Sequence, residues 1–236
     1  MIEVQIMASG SSGNCYHISD DGSRSFLIEC GIRFEKIQKF TGYNLASMQG
    51  CLISHSHKDH CKAYKNIMRL GLDTWMSEQT AKELNSSGHR GKQFSAKLEF
   101  NIGPCKNWTI LPFKLQHDVD NHGFLILSKH SGERLVYITD SYYCRYKFPK
   151  VNIYMVECNY SREILDENYK AGKIERFLRD RVLKSHFSLE NVLNFFKAND
   201  LSHCREIHLL HISNGNGDSE QFKIEVEKLT GIPTYV

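Results

Sequence analysis

The chain has 236 residues, enough for one large domain that buries most of its unfolded surface without needing disulfides or a structural metal. A composition that is 41% hydrophobic and 24% charged, with 4 Pro, excludes disordered, collagen-like and disulfide-knot classes, and a net charge of +3 is too mild to mark a dedicated nucleic-acid-binding domain. No apolar run approaches the roughly 18 residues of a membrane span, and residues 1–7 lack the basic start and apolar stretch of a signal peptide, so the expectation is a cytoplasmic protein with no membrane partner.

In chain order, alternating or apolar runs predict strands at 2–7, 26–29 and 51–54, the first followed by a Gly/Ser-rich turn at 8–14. Helical periodicity follows at 63–70 and 78–84, and the polar stretch 85–97, with Gly88 and Gly91, reads as an exposed loop. The second half repeats the pattern: strands at 108–115, 124–127, 135–139 and 151–156, helices at 164–183 and 189–198, and a late strand at 206–210. No linker separates the two halves, so residues 1–236 are expected to form one α/β domain of two mixed sheets packed face to face with helices outside. The 8 Cys stand singly with no CxxC pair, as expected of reduced thiols in the cytosol.

Chemistry concentrates where the strand 51–54 runs into His55, Ser56, His57, Lys58, Asp59 and His60. Imidazoles and a carboxylate at that density would each need a buried partner if they were core packing, whereas one or two cations satisfy them together. In extended backbone His55 and His57 share a face and reach one metal, and a turn at Asp59 and His60 aims these at a second. Further candidate ligands stand at predicted strand ends: His117, Asp140 and His211. Imidazole with carboxylate suits Zn²⁺ best and Mn²⁺ or Fe²⁺ less well.

This set, His55/His57/Asp59/His60 with His117, Asp140 and His211, resembles the metallo-β-lactamase superfamily of two-metal hydrolases over essentially the whole chain. The opening turn 8–15, the segment Val156-Glu157-Cys158-Asn159-Tyr160, the segment Ser185-His186-Phe187-Ser188 and the ending Leu210-His211-Ile212-Ser213-Asn214 are similar to its YycJ/WalJ branch. The resemblance implies an αββα sandwich in which His55, His57 and His117 hold one metal, Asp59, His60 and His211 hold the other, and Asp140 bridges them. It further implies a hydroxide trapped between the metals, with Asp59 beside it, that attacks phosphorus in a phosphodiester. For this branch the implied activity is that of a cytosolic exonuclease cutting DNA from a 5′ end. A small-molecule phosphodiesterase, a lactonase or thioesterase, and a metal-stabilised binding module are the alternatives. Where the family usually places Asp at the end of its early strand this chain has Glu29-Cys30-Gly31, whose longer carboxylate arm is expected to support the metal-binding loop.

His186 resembles the histidine that phosphodiesterase branches keep beside the scissile phosphate, as phosphate binder or proton donor to the leaving oxygen; Ser188 after it is equally a helix N-cap for 189–198. Ser213, Asn214 and Asn159 are candidate hydrogen-bond donors to phosphate, although Asn214 also begins an Asn-Gly turn sequence. Asp118 is a candidate to orient His117. The stretch 141–150 interleaves Tyr142, Tyr143, Tyr146 and Phe148 with Arg145, Lys147 and Lys150, a mixture that stacks bases and neutralises phosphates or else tucks its rings beneath the sheet; Arg145 and Tyr146 are the chosen substrate contacts. His208, three residues from His211 on one strand, is expected to face the opposite side of the sheet.

Overall fold

A computed structural model describes residues 1–21, 24–103 and 105–236. Among them the strands form two mixed sheets, and the chain divides into two compact units, one comprising residues 1–114 and 124–133, the other residues 115–123 and 134–236.

In the first unit, β1 (Ile2–Ala8) pairs antiparallel with β2 (Cys15–Asp20), and β2 with β3 (Arg24–Ile28). From β3 the sheet continues in parallel through β4 (Cys51–Leu52), β5 (Thr74–Ser77) and β6 (Gly91–Phe94). Parallel neighbours need crossovers, supplied here by α1 (Phe34–Phe40), α2 (Lys58–Cys61), α3 (Tyr64–Arg69) and α4 (Glu78–Glu83). Their apolar sides pack on the sheet through Ile37, Cys61, Tyr64, Ile67 and Ala81. On the other face Phe26 meets Trp108 edge-on at 4.9 Å between ring centres, the contact that joins β3 to β8 (Trp108–Leu115). β8 pairs antiparallel with β7 (Phe100–Ile102), and β9 (Asn121–Ser128) completes the strands of this half.

In the second unit, β10 (Arg134–Ile138), β11 (Ile153–Glu157), β12 (Glu206–Leu210) and β13 (Thr234–Tyr235) lie side by side and parallel. The three longer strands are almost wholly buried and read as continuous apolar runs, as strands covered on both faces do. Between β11 and β12 run α5 (Arg162–Lys170), α6 (Arg176–Ser185) and α7 (Leu189–Ala198), and α8 (Ser219–Thr230) precedes β13. The aromatic packing of Tyr154, Phe187, Phe195 and Phe196 fixes α7 on the sheet.

Three sequence expectations are corrected. The single helix over 164–183 is two, because Gly172 takes a left-handed φ of +69° that closes α5. The polar stretch 85–97 is not all loop, since β6 lies within it and pairs with β5. The strands β2 and β5 and the helices α1 and α8 were not anticipated from periodicity. The predicted cap holds: Ser188 accepts a hydrogen bond from the Asn191 N–H.

Candidate metal centre

The first unit builds its share from one hydrogen-bonded knot. His55 and His57, on extended backbone after β4, face the same side with ring centres 4.7 Å apart, as the alternation of a strand demands. The turn that follows is α2, which carries Asp59 and His60 back under them, the His55 and His60 rings lying 4.1 Å apart and His60 Nε2 3.4 Å from Asp59 Oδ2. His60 has its Nδ1 3.6 Å from Glu29 Oε1, and both residues are completely buried. The same carboxylate accepts the Ser54 N–H at 3.3 Å, immediately before His55, so the longer Glu29 arm does support the ligand loop from beneath. Ser54 Oγ holds His55 Nδ1 at 2.8 Å, which fixes the ring orientation.

Two residues of the knot have no side-chain chemistry to offer a metal and are still indispensable to it. The Asn14 N–H donates to the Asp59 carbonyl at 2.7 Å and its side-chain amide reaches His60 Nε2 at 3.1 Å, so the Gly/Ser-rich turn is the clamp on α2. A Cβ at Gly31 would lie 1.6 Å from the Asp59 carbonyl oxygen, so only glycine permits this approach.

In the second unit the ligand candidates stand at the C-terminal ends of adjacent parallel strands, where open α/β sheets place their sites. Asp140 follows β10, Glu157 ends β11, and His211 follows β12. Asp140 and His211 take left-handed φ values of +46° and +54°, a region uncommon for non-Gly residues but one that Asp and His enter more readily than most, which turns each side chain off its strand axis. One ligand atom from each of Asp140, Glu157, His186 and His211 lies within 4.8 Å of all the others.

Asp140 is the shared member: Oδ2 lies 3.6 Å from His117 Nε2 and Oδ1 lies 3.4 Å from His211 Nδ1. His117 donates from Nδ1 to the Ser185 carbonyl at 3.2 Å, which leaves the Nε2 lone pair pointing at Asp140 and, 3.0 Å away, at Asp118 Oδ1. The Ser185 carbonyl is thus the group that orients His117, and Asp118 lies on the side of the other nitrogen. Burial holds the His117 pKa below its usual value against the pull of Asp140 and Asp118, so the ring is neutral. A neutral ring lone pair among carboxylate oxygens is repulsive until a cation stands among them. Imidazole and carboxylate donors with no thiolate suit Zn²⁺ or Mn²⁺, so the residues present fit the metals implied.

Glu157 is the residue that sequence reasoning missed. Its carboxylate, with no exposed surface, accepts from His186 Nδ1 at 2.6 Å, His211 Nδ1 at 3.0 Å, and the backbone N–H groups of Ser141 at 3.0 Å and Phe187 at 3.2 Å. Burial pushes its pKa up, but the His186 charge and these hydrogen bonds outweigh it and hold the group below the usual carboxylate range. Burial in turn lowers His186, and the Glu157 charge and hydrogen bond reverse this to a net rise.

The substrate candidates are placed less tightly. Asn159 is buried and its amide donates to the His211 carbonyl at 2.7 Å, while Ser213 Oγ accepts from the Asn216 N–H at 3.2 Å and Asn214 is exposed. In the stretch 141–150, Cys144 and Phe148 go into the core and Tyr146 is half-buried beside Phe148 at 6.4 Å, with Tyr142, Arg145, Lys147 and Lys150 outside. His208 stacks on Tyr235 at 5.1 Å and takes no part in the cluster around His211, as the strand alternation requires.

No family model matches the sequence. The chain is 23% identical to the exodeoxyribonuclease YycJ of Bacillus anthracis over 243 aligned positions, covering 97% of this chain and 89% of that protein. Its fold superposes on the metallo-β-lactamase fold protein YhfI of Bacillus subtilis with a TM-score of 0.76 at 17% identity, covering 99% of this chain and 95% of that one. The chain has the metallo-β-lactamase fold. Zn²⁺-bound PqqB of Methylobacterium extorquens gives a TM-score of 0.71 at 13% identity over 99% of this chain and 97% of that one. The resemblance read from the ligand residues, to this superfamily and within it to YycJ, therefore extends over nearly the whole length in sequence and in fold.

Proposed function

We propose that residues 1–236 are one domain and a metal-dependent hydrolase that cleaves phosphodiesters, acting as a DNA exonuclease from the 5′ end. In this reading His55, His57, Asp59, His60, His117, Asp140 and His211 hold two divalent ions, Zn²⁺ or Mn²⁺. The observation that carries the reading is the group Asp140, Glu157, His186 and His211: three buried ligand-type side chains around the partly exposed His186 imidazole, held at 2.6 Å by a carboxylate. Bound divalent ions supply a water of lowered pKa and electrostatic relief for the phosphoryl oxygens.

The chain's own residues supply the rest. Glu157 holds the proton of His186 on Nδ1 and raises the ring's basicity, so the opposite nitrogen can carry a second proton and deliver it to a departing alkoxide. A thioester expels a thiolate that makes less demand on such an acid, which is why the His186–Glu157 pair favours phosphodiesters over thioesters. The Asn159 amide fixes the backbone at His211, and Arg145 and Tyr146 are assigned as contacts for the strand being cut. Likeness to an exodeoxyribonuclease in sequence supports DNA as the substrate. Absence of any helix long and apolar enough to cross a membrane among the described residues, and 8 cysteines without a disulfide, are compatible with action in the cytoplasm.

The test is turnover of end-labelled single- and double-stranded DNA, RNA, and a bis-aryl phosphate by the purified protein with Mn²⁺ or Zn²⁺. DNA labelled at its 5′ end should release the label first as a short product, while 3′-labelled DNA shortens progressively. Turnover of the aryl ester or a lactone alone would overturn the nuclease reading.

A further inference from the structure

Within the first unit, a cleft of about 870 Å³ opens beside the ligand loop and carries four cations, Arg33, Lys36, Lys39 and Lys62, along an apolar floor that includes Met7 and Phe40. No carboxylate lines it: Glu35, the acid of α1, is not part of the wall. All four basic side chains are exposed, and none is in an ion pair among the described residues. Arg33, at the N-cap of α1, and Lys36 and Phe40 within it are exposed along one side of the helix, next to the buried Ile37 that anchors it. Phe40 is 48% exposed, unusual for a ring with no partner to cover it.

The cleft wall and the ligand helix are one hydrogen-bonded piece. Lys62 is the residue that closes α2, two positions after His60. Arg33 follows Gly31, whose N–H donates to the Asn14 carbonyl at 2.8 Å, while the Cys30 N–H donates to the His60 carbonyl at 2.8 Å. The cleft wall is thus tied through backbone hydrogen bonds to the segment that carries Asp59 and His60.

A single small anion would be held by one or two buried, converging donors. Four exposed, long-stemmed cations in a row with an exposed ring among them match an extended polyanion that carries flat apolar groups. Duplex DNA hides its base faces and gives Phe40 nothing to stack on. We propose that this cleft is the entry track for single-stranded DNA, in which Arg33, Lys36, Lys39 and Lys62 neutralise successive phosphates and Phe40 stacks an unpaired base. The inference deepens the nuclease reading and rests on it for the identity of the polyanion.

The test is fluorescence anisotropy of a labelled oligothymidylate in chelator, so that binding is read without turnover, across a salt series. In the variant combining Arg33→Gln, Lys36→Gln, Lys39→Gln and Lys62→Gln, the slope of log K against log salt should fall by about 3, at roughly 0.7 for each lost phosphate contact, and low-salt affinity at least about tenfold. Phe40→Ala should weaken binding about fivefold or more, as loss of one stacked base does. Circular dichroism and thermal melting establish that the variants fold. Unchanged slope and affinity in the folded quadruple variant overturn the track, and so does equally tight binding of a duplex with no effect of Phe40→Ala. Should the wild type hydrolyse no phosphodiester while the slope still falls in the variant, the hydrolase reading fails and the track stands as a binding surface.

Discussion

The Nδ1 of His186 lies 2.6 Å from Oε1 of Glu157, on a carboxylate that no solvent reaches. A charge-assisted hydrogen bond this short in a buried setting fixes both the ring's orientation and its proton. His186→Ala should therefore lower turnover of DNA, whose departing sugar alkoxide needs the proton, roughly 10²–10⁴-fold, the range for a lost acid–base group, while metal content by elemental analysis stays unchanged. Glu157→Gln should lower turnover in the same direction and also shift its pH dependence, because the ring loses the charge that raises its pKa. Full turnover in His186→Ala would return this residue to its place before the Ser188 cap.

Asp140 is contacted from both sides, by His117 at 3.6 Å and by His211 at 3.4 Å, so its removal should affect two of the proposed ligands at once. Asp140→Asn keeps the shape and removes the charge. The expected result is metal content reduced by at least half and hydrolysis lost beyond the effect of His186→Ala. Chelation of the wild type should abolish turnover, and Mn²⁺ or Zn²⁺ should restore it. Retention of full metal content in Asp140→Asn would sink its role as the shared carboxylate.

How much of this was legible beforehand follows physical lines. The ligand candidates were readable because imidazole and carboxylate at strand ends have few other uses, and the structure gathers His55, His57, Asp59 and His60 in one unit and His117, Asp140 and His211 in the other. Glu157 is the last residue of β11, close to where Asp140 and His211 stand just beyond β10 and β12, and that strand-end position was the signal available for it. It was passed over because a lone Glu after an apolar strand reads as a polar terminus until parallel pairing sets it between the ends of β10 and β12. Gly172 marked the break between α5 and α6 in plain sight, but charged periodicity on both sides concealed it. β6 could not be read at all, since its residues Gly91 to Phe94 show no alternation and a single apolar side chain, Phe94, and become a strand through pairing with β5.

Gly31 has a role its neighbours' chemistry does not suggest. A methyl group there would overlap the Asp59 carbonyl, 1.6 Å from the ideal Cβ position, and neither the α2 backbone nor the Asn14 clamp can move without carrying His60 with it. Gly31→Ala should destabilise the protein by about 3 kcal/mol, the upper end for overpacking a rigid site, and weaken metal binding along with it. Thermal melting with and without Zn²⁺ checks this. An unchanged melting temperature together with unchanged Zn²⁺ affinity would mean that the loop is more yielding than the contact implies.

The thiols offer a test of packing that is independent of any activity. Burial pushes the pKa of Cys61 and of Cys144 up to about 12 and that of Cys204 to about 11, and raises Cys15 and Cys158; in the Cys30–Cys51 hydrogen bond Cys30 is raised chiefly by that bond, while Cys51 is lowered by it but raised on balance by burial and nearby charges. A raised thiol pKa disfavours the thiolate that alkylating reagents attack, and at pH 8 a group titrating near 12 is ionised to only about one part in 10⁴. Cys105 is the exposed cysteine of the described residues. In the native protein iodoacetamide at pH 8 should modify Cys105 rapidly and the other 7 only after unfolding, as read by peptide mass spectrometry, and Cys105→Ser should remove the fast phase. Rapid labelling of Cys30 or Cys61, which flank the ligand knot on either side of His60, would show that Glu29 and His60 are reached by solvent and that the buried carboxylate–imidazole contact beneath the metal-binding loop opens readily.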